Sequence, residues 1–64
     1  MNYTTHALRR LAERDITRSE VSWTIEYGKK HKPYERDRMI AVCDSIGVVY
    51  NPKTKTVVTA WKEK

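Results

Sequence analysis

The sequence predicts an α+β fold in which two N-terminal helices pack on a small three- to four-stranded antiparallel sheet, in the order ααβββ. Apolar residues recur at helical spacing in the first part of the chain, whereas β-branched runs separated by turn residues dominate from about residue 30 onward. The 64 residues leave room for one core, so we expect a single domain over residues 1–64. A domain this small is marginally stable, and a partner or second copy can supplement it.

The first predicted helix spans residues 5–15, and Thr4 or Thr5 can cap its first turn. Its apolar residues recur at helical spacing: Ala7, Leu8, Leu11 and Ala12. We expect the last three of these to face the core. The opposite side carries a polar stripe at successive i+4 steps, made of His6, Arg10 and Arg14.

The second helix is predicted over residues 18–27, because Thr17-Arg18-Ser19-Glu20 is a capping box. Gly28 follows, and its missing side chain favours a left-handed helix stop. Val21 and Ile25 share one face, while Trp23 and Tyr27 point nearly the opposite way. We therefore expect one face to meet the sheet and the other to meet the first helix or a partner.

Three β-branched runs predict antiparallel strands: residues 39–43, 46–50 and 56–61. Asp44-Ser45 is the first turn signal, and Asn51-Pro52-Lys53-Thr54-Lys55 fits a type I turn. The segment from His31 to Asp37 can add a fourth strand, but Pro33 limits it to a sheet edge or a loop.

The charge balance favours anionic partners. Thirteen Lys and Arg against eight Asp and Glu leave a net charge of +5, so nucleic acid is the first candidate and an acidic protein the second. The single cysteine, Cys43, cannot close an internal disulfide, which fits a reducing cytoplasm, and we expect it to be a buried small hydrophobe. No apolar run approaches the roughly 20 residues of a membrane span. The His and Cys spacing shows no metal-ligand pattern, so we expect neither a metal nor a cofactor.

The candidate catalytic residues fit metal-independent RNA cleavage, which needs proton transfer and cationic stabilisation of the phosphate. His6 is the candidate for proton transfer, since imidazole exchanges protons near neutral pH. Arg10 and Arg14 lie along the same stripe and can grip phosphate oxygens. Thr59 can position the phosphate from the last strand. His31 is a second candidate acid or base.

The candidate RNA-binding residues are a basic cluster after the second helix, two arginines beyond it and a tryptophan that can stack a base: Lys29, Lys30, His31, Lys32, Arg36, Arg38 and Trp61. Trp61 follows Thr59 by two residues, so both share one face of their strand.

The same residues also have ordinary interpretations. A face of His and Arg is often solvated surface, and Arg10 or Arg14 can simply pair with Glu13. Trp23 and Trp61 are large apolar groups that a small domain needs for its core. The grouping of Thr59 with His6 depends on the strand register, because the two residues must lie on the same side of the fold.

Several segments resemble a family of small bacterial and phage domains of unassigned function. The resemblance covers roughly residues 4–62 and rests on Thr5-His6-Ala7, Arg10, Glu13-Arg14 with Ile16, Gly28, and the closing Val57-Val58-Thr59-Ala60-Trp61. That family is grouped by fold with the RelE, colicin D and barnase-like ribonucleases. The resemblance implies an RNA-cleaving toxin fold with His6, Arg10, Arg14 and Thr59 as working residues. Asp15 and Lys55 stand where the family tends to have Gly.

Two functions therefore remain in view. The first is a small RNA-directed toxin, a metal-independent ribonuclease with an antitoxin or immunity partner. The second is a non-enzymatic phage or mobile-element module that binds nucleic acid or inhibits a host protein, with Trp23 and Tyr27 as anchors. Either is compatible with a homodimer formed through a sheet edge.

Overall fold

The computed structural model describes residues 1–32 and 37–63 and confirms the α+β class: two helices pack on one face of a five-stranded mixed sheet. The strand order in the sheet is β1-β5-β4-β3-β2. Along the chain the elements are β1 (Asn2–Tyr3), α1 (Thr5–Arg14), α2 (Arg18–Tyr27), β2 (Lys29–His31), β3 (Met39–Cys43), β4 (Ile46–Asn51) and β5 (Thr56–Lys62).

Thr4 caps the N-terminus of helix α1, and its hydroxyl accepts a hydrogen bond from the Ala7 amide at 3.0 Å. Asp15 caps its C-terminus in the left-handed conformation (φ 56°, ψ 47°), at a position where the resembled family tends to have Gly. Ala7 and Leu11 are buried, but the expectation that Leu8 and Ala12 face the core is wrong, since both are exposed, Leu8 at 40%. The contact with the sheet runs through positions 7 and 11, and Leu8 lies about 100° around the helix from Ala7.

Helix α2 has the predicted bounds and the predicted capping box. The Thr17 hydroxyl accepts from the Glu20 amide at 3.1 Å, and the Glu20 carboxylate accepts from the Thr17 amide at 2.9 Å. The left-handed stop predicted at Gly28 is wrong, because its backbone is extended (φ -70°, ψ 163°) and leads directly into β2. Glycine is required there by close approach: a β-carbon would lie 2.3 Å from the Thr24 carbonyl oxygen.

Both predicted hairpins form. Asp44 adopts positive φ between β3 and β4, which pair from Met39↔Tyr50 to Cys43↔Ile46. In the second hairpin the Asn51 side-chain oxygen accepts from the Lys53 amide at 2.9 Å and the Thr54 amide at 3.3 Å. Lys55 closes this turn with φ 55°, again at a position where the resembled family tends to have Gly.

The two outer strands account for the difference from the predicted three- to four-stranded antiparallel sheet. β1 pairs parallel with β5 through Asn2↔Thr56 and Tyr3↔Val57, which makes the sheet mixed. β2 pairs antiparallel with β3 and begins directly after Gly28, earlier than the predicted edge segment. Most of that segment, including Pro33, lies outside the described residues.

The core lies between the helices and one face of the sheet. Its buried members are Ala7, Leu11, Ile16, Val21, Ala41, Ile46, Val48, Tyr50, Val57 and Ala60. Burial raises the pKa of the Tyr50 phenol. Val58 is an extra residue in β5, because Val49 pairs with Thr59 while Tyr50 pairs with Val57. This bulge lets Val57 and Ala60 both face the helices although they are three residues apart.

Neither α1 nor α2, the helices of the described residues, combines the length and apolar character that crossing a membrane requires.

Candidate functional site

The sheet has a second face that neither α1 nor α2 covers. Side chains alternate along a strand, so residues next to the buried Ala41, Val48 and Ala60 point away from the helices. The strand register aligns them in two rows, His31–Ile40–Val49–Thr59 and Lys29–Val42–Gly47–Trp61. We call these eight residues the open sheet face. It is an apolar surface with two basic side chains on β2 and an aromatic ring on β5.

Trp61 is the largest side chain of the open sheet face, and it lies against Gly47. A β-carbon at residue 47 would fall 2.0 Å from the Cζ2 atom of the indole. Trp61 is half-buried on the face opposite the core, so the expectation of a core tryptophan is wrong. Sequence reasoning missed Gly47, although a glycine inside a strand pattern indicates that another group approaches the backbone closely.

The predicted basic cluster is divided between the two faces of the sheet. Lys29 and His31 pair with Val42 and Ile40 and therefore belong to the open sheet face. Lys30 pairs with Ala41 and lies on the helix side, where its Nζ donates a hydrogen bond to the Gly28 carbonyl at 3.0 Å.

A second basic group surrounds a depression near the start of β3. It is lined by Lys32, Asp37, Arg38, Met39, Pro52 and Lys53. The Lys53 Nζ lies 2.9 Å from Asp37 Oδ1, and this carboxylate raises the pKa of the Lys53 ammonium. Lys53 was not predicted as a site residue. Arg36, which was, lies outside the described residues.

The His6–Arg10–Arg14 stripe lies on α1, in the helix layer. Arg10 Nη1 contacts Glu13 Oε1 at 2.8 Å, so the ion pair foreseen as an ordinary interpretation forms. Both side chains are well exposed, and such a pair contributes at most about 1 kcal/mol. His6 and Arg14 are exposed to solvent. The stripe is therefore accessible, with one of its cations already neutralised by a neighbour.

The structure does not bring Thr59 together with this stripe. Helix α1 packs on the buried face of β5, whereas Thr59 belongs to the open sheet face, so the sheet lies between them. Thr59 shares its face with His31 instead. The two residues are three strand spacings apart, which corresponds to about 14 Å. The catalytic roles of His6, Arg10, Arg14 and Thr59 stay predictions, but they cannot act as one compact cluster in this fold.

A third surface is the outer side of α2, where Trp23 is 59% and Tyr27 63% exposed. Their ring centroids are 4.4 Å apart with planes inclined at 45°. The core interpretation of Trp23 is therefore wrong, because the 3.6-residue period turns position 23 away from the buried Val21. Cys43 is half-buried rather than fully buried and lines a cleft beside Trp23.

Over residues 1–32 and 37–63, no group of three or more His, Cys, Asp and Glu side chains is arranged to hold a metal ion.

One comparison with known families gives a match. The model of a domain of unknown function, DUF4258, matches residues 3–62, which is nearly the whole chain. No curated protein and no solved structure matches this chain.

Proposed function

The chain belongs to the DUF4258 family, whose function is unknown, and we propose that it is a small RNA-directed protein that binds single-stranded RNA on its open sheet face. The observation that carries this proposal is the position of Trp61. Its indole lies against Gly47 on the sheet face that neither α1 nor α2 covers, in the same row as Lys29. An aromatic ring and a cation on one sheet face are what binding of single-stranded nucleic acid requires.

The physical argument has two parts. A nucleobase that stacks on an aromatic side chain contributes about 1–3 kcal/mol, and every base offers a π-face, so sequence matters little. Lys29 and His31 lie along β2 at the opposite side of the same face, about 14 Å from β5, where they can contact the phosphate backbone. The net charge of +5 attracts RNA to the protein from a distance.

The second part of the proposal is that the bound RNA is cleaved, as in the toxin-like ribonucleases that the sequence resembles. A base removes the 2′-OH proton, and the 2′ oxygen attacks the adjacent phosphorus. The bond from phosphorus to the 5′ oxygen breaks, and an acid protonates this leaving oxygen, which yields a 2′,3′-cyclic phosphate and a 5′-hydroxyl end. His31 is the histidine that shares the open sheet face with Thr59 and Trp61, while His6 occupies α1.

The binding proposal is tested with the two tryptophans as matched reporters. Trp23→Phe leaves Trp61 as the only indole, and Trp61→Phe leaves Trp23. Titration with a single-stranded oligoribonucleotide should quench the fluorescence of the Trp23→Phe variant, because a base stacks on Trp61, and should leave the Trp61→Phe variant unchanged. Equal quenching in both variants, or none in either, contradicts binding on the open sheet face.

Cleavage is tested separately, by inducing the protein in bacteria and examining total RNA on a gel. Arrested growth with discrete RNA fragments, lost in His31→Ala and kept in His6→Ala, supports cleavage on the open sheet face. If the RNA fragments disappear only in His6→Ala, the cleavage site lies on α1. Intact RNA together with quenching of Trp61 identifies a binding module without catalysis, the alternative considered from the sequence.

A further inference from the structure

The outer side of α2 is a surface that the RNA proposal does not use. Trp23 and Tyr27 are more than half exposed, and their rings contact each other at a tilted angle. They border a shallow groove together with polar residues of the same helix: Arg18, Ser19, Ser22 and Glu26. Two exposed aromatic side chains side by side are typical of an interface, because rigid rings bury much area at little entropic cost.

The charges on this groove are self-complementary. Arg18 lies at the start of α2 and Glu26 near its end, with Ser22 midway between them. The two charges are eight residues apart, or about 12 Å along the axis, so they cannot pair within one helix. In an antiparallel arrangement of two α2 helices around a twofold axis at Ser22, Arg18 of each copy lies opposite Glu26 of the other.

We propose that the outer side of α2 binds a second copy of this chain, with the two α2 helices antiparallel. Ser19 and Ser22 leave room beside the helix axis, and Trp23 of each copy packs into that space on the other. The guanidinium of Arg18 lies 5.1 Å from the centre of the Tyr3 ring, which restricts its motion. The two Arg18–Glu26 pairs set the antiparallel direction and the register.

The size of the surface predicts a weak dimer. Helix α2 has ten residues and is about 15 Å long, so one helix pair buries less than the roughly 800 Å² per partner of a stable complex. Each copy also carries a charge of +5, which opposes association. The dimer should therefore form at high micromolar concentrations, and it leaves both open sheet faces uncovered. This inference does not rest on RNA binding.

The test is sedimentation velocity of the full chain from about 10 µM to about 1 mM at constant salt. The average mass of the wild type should rise toward that of a dimer. Arg18→Glu and Glu26→Arg should each weaken association roughly tenfold. The double variant, with the charges exchanged, should restore it.

The single variants contain their own control for overall charge. Arg18→Glu lowers the net charge by two and Glu26→Arg raises it by two. If only general charge repulsion mattered, the first variant would dimerise more strongly and the second more weakly. The antiparallel pairing predicts weaker dimerisation in both. Trp23→Ser provides an independent variant that removes the aromatic contact at an exposed position, and circular dichroism confirms that each variant is folded. A wild type that stays monomeric over the whole range, or a folded double variant without recovery, overturns the proposal.

Discussion

Gly47 and Trp61 pair on adjacent strands, and the indole of Trp61 lies so close that a side chain at residue 47 has no space. Gly47 is therefore part of the surface that positions the indole, although it carries no functional group. In most strand positions glycine weakens the strand relative to alanine. At residue 47 the contact with Trp61 reverses this usual preference for alanine over glycine.

Gly47→Ala should consequently destabilise the fold. We expect a loss of about 1–3 kcal/mol in the free energy of unfolding, because the added methyl group displaces the Trp61 ring. In a Trp61→Ala background the same substitution should cost less than half as much, since the obstructing ring is absent. Chemical denaturation of the four proteins of this cycle measures the coupling, and equal costs in both backgrounds would show that the contact is unimportant.

Lys29→Ala and Lys30→Ala form a matched pair on adjacent residues with opposite faces. If RNA lies on the open sheet face, Lys29→Ala should lower RNA affinity and reduce the slope of log K against log salt by about 0.7, the value of one phosphate contact on a single strand. Lys30→Ala should leave the slope unchanged, because that side chain lies on the helix side. Fluorescence anisotropy at several salt concentrations measures both, and a larger effect for Lys30 would place the RNA elsewhere.

The capping box should make stability depend on pH. Hydrogen bonds from the Thr17 amide and hydroxyl lower the pKa of Glu20 from its ordinary value of 4.5. Folding therefore gains from the ionised carboxylate above that value, and the gain disappears as the pH falls through the lower pKa of the folded state. Between pH 6 and pH 3 the wild type should lose more thermal stability than Glu20→Gln.

Lys55→Gly should stabilise the protein. Lys55 holds a left-handed conformation (φ 55°) that costs a residue with a β-carbon about 1–2 kcal/mol, whereas glycine adopts it freely. After the entropic cost of glycine in the unfolded chain, a net gain of roughly 0.5–1 kcal/mol is expected. Lys55→Ala serves as the control, because it removes the same side chain without relieving the backbone. A melting temperature of Lys55→Gly at or below that of Lys55→Ala would contradict this account.

The sequence predicted well what depends on neighbouring residues. The Thr17–Glu20 capping box, the two hairpins and the bounds of α2 all follow from local hydrogen bonding and turn chemistry. Gly28 shows the limit of such prediction. A glycine directly after a helix can be present because the backbone turns left-handed, or because neighbouring carbonyls, here those of Thr24 and Val42, leave no space for a side chain. Only the tertiary structure distinguishes these two reasons. β1 has two residues, too few for any periodic pattern.

The candidate site was less predictable because it depends on register. The face on which Thr59 lies follows from the Val49↔Thr59 pairing and from the bulge at Val58, and no local signal in β5 indicates that bulge. The division of Lys29 from Lys30 follows in the same way from their pairing with β3. Residue types indicated which side chains suit RNA, while long-range pairing decided which of them share a surface.

The pairing of β1 with β5 also has a consequence for biosynthesis. The Thr4 amide donates to the Val57 carbonyl, and α1 packs on β5, so the earliest elements of the chain bond to the latest one. Contacts this distant in sequence form slowly, because a long loop must close before they stabilise anything. A nascent chain that has not yet produced β5 has no strand for α1 to cover and no partner for the outer edge of β4. Completion of the domain is thus delayed until translation of β5, and the open sheet face, which includes Trp61, is completed in the same step.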